Sequence, residues 1–192
     1  MTSMSTGQSE GPWSLSTRVI VYAAIGAAIY AVLNWASFGI QVPWSQEVSL
    51  RPQYGVVTFV GFAFGPIAGF LTGYVGNTVG DQLAYQDAFG FWWWSFANGL
   101  AGFVAGLFPI WMASRMASTG NKAVTAAVAG VAATVIGFLF IFVEMFILPE
   151  STFDVMLNLN YIPVVIVNSI AAAVVTPILV LAWEPMREQL GR

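Results

Sequence analysis

The chain has 192 residues, 58% hydrophobic and 8% charged, with a formal net charge of −3, whereas an ordinary soluble domain carries about 25% charged residues. That balance excludes a water-soluble globular domain and a basic nucleic-acid binder, and it marks an integral membrane protein in a lipid bilayer. With no Cys and no His, thiolate and imidazole metal sites, cysteine nucleophiles and Ser-His chemistry are excluded, and no cofactor is expected.

Residues 1–16 read as a polar N-terminal tail, because no positive region precedes a short apolar run and a cleavage site. A spanning helix needs about 20 mostly apolar residues. Cut at Pro, Gly and polar breaks, the sequence predicts six such segments, over 17–37, 52–64, 66–85, 91–116, 122–148 and 161–183. The expected fold is all-α, a six-transmembrane-helix bundle over 17–185 with a short cytoplasmic tail at 186–192. Gly65-Pro66 predicts a tight turn between the second and third segments.

Cytoplasmic flanks are enriched in Lys and Arg. With the N-terminus inside, Arg18, Arg115, Lys122, Arg187 and Arg192 lie on the cytoplasmic side and only Arg51 outside. Glu47, Asp81, Asp87, Glu144, Glu150 and Asp154 then make the external side acidic, and both termini are cytoplasmic.

In the first segment Ala23, Ala27 and Ala31 form a small-residue strip with Ala24 and Ala28 beside it. Such a strip serves either packing within the bundle or docking to a separate membrane subunit. The loop that follows carries Pro43, Trp44 and Glu47 and is either a lid or a connector. The third segment has the i, i+4 stripe Gly69, Gly73, Asn77, Asp81, and the fourth, running the other way, Trp94, Asn98, Gly102, Gly106. The fifth leads from Ala126, Gly130, Ala133 and Gly137 out to Glu144, and the sixth descends from Tyr161 past Asn168 to Ala172.

Small residues at the inner ends predict close packing there. Polar and aromatic residues at the outer ends predict an outward-facing cup about half a membrane deep, since such groups are costly when they face lipid. Asn77, Asp81, Asn98, Glu144 and Asn168 would line it, and Arg51 would either pair with Asp81 or an anionic substrate group or serve only at the surface. Trp94, Tyr85 or Trp44 would stack on a planar heterocycle whose polar edge the amides and carboxylates read. The plainer alternatives are a solvated helix-end carboxylate for Asp81, a snorkelling one for Glu144, and an interfacial belt for Trp92, Trp93 and Trp94. The chain has no GxxxxGK[ST] or HExxH motif, so it is not expected to hydrolyse ATP or to be an enzyme.

The stretch LRPQYGVVTFVGFAFGPIAGFLTGYVGNTVGDQLAY, continuing into FWWWSFANGLAGFVAGLF, resembles the substrate-binding membrane subunits, or S components, of energy-coupling factor (ECF) vitamin importers, and within them the riboflavin-type branch. The resemblance covers roughly residues 20–183, with the QY, FGP, GFxxGxxGN and WWxW elements in order. Asn77 stands where a histidine is expected and Gly80 where a lysine precedes the aspartate. The resemblance implies a binder of a vitamin-like small molecule, with Arg51, Gln53, Asn77, Asp81, Tyr85, Trp94, Asn98, Glu144 and Asn168 as ligand-binding candidates and Trp44 on the lid. It further implies a transmembrane coupling subunit, docked on Ala23, Ala27 and Ala31, and two cytoplasmic ATPase subunits. A proton-coupled secondary transporter using Asp81 or Glu144 is the competing class, and a scaffold that binds no small molecule is the third.

Overall fold

A computed structural model describes residues 11, 13–14, 16–36, 41–46 and 48–189. Most of the expected tail, Glu47 and Arg192 lie outside these residues. The long helices are α1 (Thr17–Ala36), α2 (Tyr54–Phe64), α3 (Pro66–Tyr85), α4 (Trp92–Trp111) and α5 (Thr119–Gly137). α5 continues as a 3-10 helix over Phe138–Phe146; a short α6 (Phe153–Val155) then leads through a π-helical turn, Met156–Tyr161, into α7 (Ile162–Gln189). Among the described residues there is no β-strand, only a lone antiparallel bridge between Gln41 and Ser49.

The breaks follow local chemistry. α2 and α3 are separated by one residue, Gly65, whose φ of 102° and ψ of 169° favour glycine strongly, and Pro66 opens α3 where its missing N–H costs nothing. Ser118 caps α5, its hydroxyl accepting from the Asn121 N–H at 3.2 Å. The helical stretch Thr119–Phe146 is shifted a few residues toward the N-terminus of its expected segment, while Phe153–Gln189, at 37 residues, outruns its own at both ends.

Among the described residues, three stretches are long and apolar enough to cross a membrane: Thr17–Ala36, Thr119–Phe146 and Phe153–Gln189. α3 and α4 have 20 residues each, about 30 Å of helix, but Gly, Asn and other polar side chains dilute their apolarity. The reason is their position. α3 packs mainly on α4 and α1, α5 on α7, and the short α2 lies among α1, α3, α4, α5 and α7.

Backbone meets backbone where the glycines fall. A Cβ added to Gly69 would sit 2.2 Å from the Gly102 carbonyl oxygen, one on Gly102 2.1 Å from that of Gly69, and one on Gly61 2.1 Å from that of Gly102. Thus α2, α3 and α4 converge on one point that admits no side chain, the close approach that small residues permit between apolar helices. At the same end of the bundle the Tyr22 and Phe64 rings stack with centroids 4.1 Å apart, Trp183 meets Phe64 edge-on at 5.1 Å, and Glu184 pairs with both Lys122 and Arg187.

Gly102→Ala forces this triple contact apart and should cost about 1–3 kcal/mol, read as a lower melting temperature in detergent. Gly120→Ala, whose Cβ would meet nothing closer than the Ser118 hydroxyl at 4.0 Å, should melt as the unsubstituted protein does. Equal melting of the two variants would contradict the packing.

Candidate functional site

At the opposite end, polar side chains from four segments meet on one amide. Asn77 Nδ2 donates to Asp81 Oδ2 at 2.6 Å and to Ser95 Oγ at 3.0 Å. Its Oδ1 accepts from the Tyr30 hydroxyl at 3.3 Å, from Arg51 Nη1 at 3.2 Å and from Asn98 Nδ2 at 3.4 Å. Asn98 Nδ2 also donates to the Trp94 carbonyl at 2.9 Å, and its Oδ1 accepts from Tyr30 at 3.2 Å. Asn77 and Asn98 are 1% and 2% exposed, so the facing ends of α3 and α4 are tied together here rather than splayed. Arg51 and Asp81 are joined through the amide between them, an arrangement in which each charge strengthens the bond to its neighbour.

The Asn77–Asp81 pair follows from the i, i+4 spacing. Three partners were not anticipated. Tyr30 sits inside the small-residue strip of α1, seven residues after Ala23 and on its face; Ser95 is a hydroxyl among aromatic residues; Asn34 accepts from Gln53 Nε2 at 3.4 Å. The available signal was a polar atom at helical spacing from an already suspected face.

Glu144 forms a second cluster. It is buried; its Oε2 accepts from Trp93 Nε1 at 2.7 Å and Trp94 Nε1 at 3.2 Å, and its Oε1 from Ser151 Oγ at 2.7 Å. An indole nitrogen can only donate, so this carboxylate is held as an acceptor inside the protein and does not snorkel. Of the three tryptophans, Trp93 is buried, Trp94 is half-buried and Trp92 is exposed. Trp94 bridges the two clusters, through its carbonyl to Asn98 and its indole to Glu144.

The remaining candidates are scattered. Asn168 is 2% exposed on α7, and its Oδ1 has no hydrogen-bond partner. Tyr85, at the end of α3, is exposed. Trp44 is 63% exposed; the loop it stands on covers the core with other residues, Val42 and Val48, which are buried beside Tyr54, Phe138 and Met156. That loop is fastened by Gln46 N–H to the Leu159 carbonyl at 2.9 Å and by Asn160 Nδ2 to Gln46 Oε1 at 3.4 Å.

Ala23, Ala27 and Ala31 correct an expectation. All three are buried within the chain. The Thr72 hydroxyl reaches the Ala23 carbonyl at 3.3 Å, and a Cβ on Gly76 would lie 3.1 Å from the Ala27 carbonyl oxygen. The strip is taken up by α3, because Gly76 and Gly80 let α3 approach that face. The alanines left exposed on α1 are Ala24, Ala28 and, at its end, Ala36; the first two are flanked by Val21, Ile25 and Val32.

The model of the family described as ECF-type riboflavin transporter, S component, matches residues 14–184. A UPF0397 protein of Streptococcus gordonii is 38% identical over 95 residues, 49% of this chain and 48% of that protein. UPF0397 proteins of Aliivibrio fischeri and Vibrio atlanticus are 37% identical over 106 residues and 36% identical over 104, covering 55% and 54% of each chain. The chain thus spans about half the length of the curated relatives it matches. No solved structure matches it.

Asn77→Leu removes a hydrogen-bond partner from Asp81, Ser95, Arg51 and Asn98 at once, and leaves Tyr30 with Asn98 alone. Each buried polar group left unpaired costs about 1–3 kcal/mol, so the melting temperature in detergent should fall well below that of Asn158→Leu, a change at an exposed side chain. A similar melting temperature for both would show that the amide does not hold the helices.

Proposed function

The chain belongs to the S component family of ECF-type transporters, and from that premise we propose that it is the substrate-specific binding subunit of an ATP-driven importer rather than an enzyme. The match over residues 14–184 carries this reading. The subunit captures a vitamin-like small molecule, riboflavin in the favoured case, from outside the cell. It passes this cargo inward with a transmembrane coupling subunit and two cytoplasmic ATPase subunits. It spans the plasma membrane six times with both termini cytoplasmic, placing the Asn77 and Glu144 clusters toward the outside and the Lys122–Glu184–Arg187 group toward the cytoplasm.

The site supports binding rather than bond chemistry. Its polar groups are amides, an arginine, two carboxylates, a tyrosine and the hydroxyls of Ser95 and Ser151, most of them engaged with one another. Beside them, Tyr54, Phe138 and Trp94 bring aromatic rings together, with Tyr54–Phe138 centroids at 5.9 Å and Trp94–Phe138 at 6.3 Å. Rings with a few placed polar groups are the usual makings of a small-molecule site. In this reading the cup opens outward beside these rings, near the loop that carries Val42 and Val48. A proton-coupled carrier has less support, since Glu144 is surrounded by donors and Asp81 is tied to Asn77.

Docking to the coupling subunit falls to the exposed side of α1, where Ala24 and Ala28 lie one turn apart and leave room for a partner helix to approach.

Mass spectrometry of the detergent-purified protein should find a bound heterocyclic small molecule near one per chain, and the emptied protein should rebind it. A chain that purifies empty and ignores a vitamin panel would contradict the reading. Ala28→Trp should leave that binding unchanged and reduce ATP-driven uptake by the assembled importer at least about tenfold; undiminished uptake would move the docking face elsewhere.

A further inference from the structure

The continuation of α5 is wound in a way that its own residues do not explain. Phe138–Phe146 is a 3-10 helix of nine residues, whereas such runs rarely exceed about three or four because their hydrogen bonds are poorly aligned. The stretch FLFIFVEMF contains no Gly or Pro, and the first breaker, Pro149, lies beyond its end. The π-helical turn at Met156–Tyr161 differs in having a local cause. In an α-helix the Leu159 carbonyl would accept from residue 163, but Pro163 has no N–H, and the Gln46 N–H takes that carbonyl at 2.9 Å. For Phe138–Phe146 the cause lies in contacts with the rest of the bundle.

Those contacts meet at Glu144. The buried residues of the stretch are Phe138, Ile141 and Glu144. Winding at about three residues per turn puts all of them on one face; at about 3.6 per turn, Glu144 would stand about a third of a turn away from Phe138. On that face Oε2 accepts from the indoles of Trp93 and Trp94, and Oε1 from the Ser151 hydroxyl. Consecutive residues of a helix do not face the same way, so two adjacent indoles share one oxygen only when it is held in the groove between them. A return to α winding would turn the carboxylate out of that groove and leave the buried Trp93 N–H without its acceptor, a costly state in an apolar bundle. The rings follow from the same arrangement, because the Trp94 indole that Glu144 holds lies against Phe138, with centroids 6.3 Å apart.

We infer that Glu144 is a positioning residue: its three hydrogen bonds hold Phe138–Phe146 in the 3-10 form, and that form sets the Trp94 ring and the turn carrying Ser151 around the site. Glu144 acts through Trp94 and does not touch the cargo. The effect on cargo rests on the binding-subunit reading, and the winding does not.

The chain has no Cys, so spin labels can be placed at Val128→Cys on α5 and Phe146→Cys at the end of the 3-10 stretch, both exposed side chains. Their separation is read by pulsed electron paramagnetic resonance on the full-length protein in detergent. Nine residues rise about 4–5 Å less in an α-helix than in a 3-10 helix, so Glu144→Ala should shorten the separation by about that amount. Glu144→Gln should keep the longer separation, because its amide oxygen still accepts from both indoles and its N–H donates to Ser151. If Glu144→Ala fails to fold, Ser151→Ala combined with Trp94→Phe, which removes two of the three bonds, should add the shorter separation to the distribution. An unchanged separation on removal of these bonds, or a shortened one in Glu144→Gln, overturns the inference. In unlabelled protein, riboflavin titration followed by flavin fluorescence should show binding at least about tenfold weaker for Glu144→Ala, with Glu144→Gln recovering most of the loss. Equal riboflavin binding by Glu144→Ala and the unsubstituted protein would overturn the positioning role. Absence of riboflavin binding by the unsubstituted protein would count against the cargo favoured in the binding-subunit reading, and the label separation then decides the inference by itself.

Discussion

Polar atoms inside an apolar bundle must find partners within the protein, and the Asn77 amide is where this constraint is met for one end of the molecule. Through it, Tyr30 of α1, Arg51 ahead of α2, Asp81 of α3, and Ser95 and Asn98 of α4 become one hydrogen-bonded unit. Much of the local design follows. For Tyr30 to reach Asn77, α1 must lie close on α3, and the small residues Ala23, Ala27, Gly76 and Gly80 make that approach possible. For Asn98 to reach Asn77, α4 must lie equally close, and Gly73, where a Cβ would meet the Asn98 carbonyl oxygen at 2.3 Å, leaves the room.

The bundle is thus fastened in two ways along its length. At the Lys122–Glu184 end the fastening is steric, with Gly61, Gly69 and Gly102 in backbone contact and the Tyr22, Phe64 and Trp183 rings packed together. At the other end it is polar and specific. Such a wall suits recognition, since side chains locked by their own hydrogen bonds present a fixed surface and lose little freedom when a ligand arrives. The Glu144 cluster plays the same part for the indoles of Trp93 and Trp94.

Much of the architecture could be read from the residues. The Gly65-Pro66 turn, the helical segments and the Asn77–Asp81 stripe depend on local spacing, and local spacing is what a sequence displays. What could not be read was which face of a helix a neighbour takes. Ala23, Ala27 and Ala31 form a strip as plain as Ala24 and Ala28, and only the position of α3 decides that the first is buried and the second exposed. Likewise Trp44 marked the loop as a cover, while the residues that enter the core are Val42 and Val48. Tyr30 was hidden among alanines because its role lies at the tip of a long side chain, where the hydroxyl meets Asn77 of α3 and Asn98 of α4. Asn168 was visible as a polar residue on an apolar helix; its distinction from Asn77 and Asn98 is a matter of which bonds each already makes, and that is a property of the assembled bundle.

The reading of this chain as the binding half of a two-part importer is tested most directly by uptake into proteoliposomes of the compound that co-purifies with it. The account predicts that the chain alone binds this compound but does not accumulate it, and that accumulation appears when the coupling subunit, both ATPase subunits and ATP are supplied. Accumulation by the chain alone, driven by a proton gradient, would contradict the account and identify a self-contained carrier.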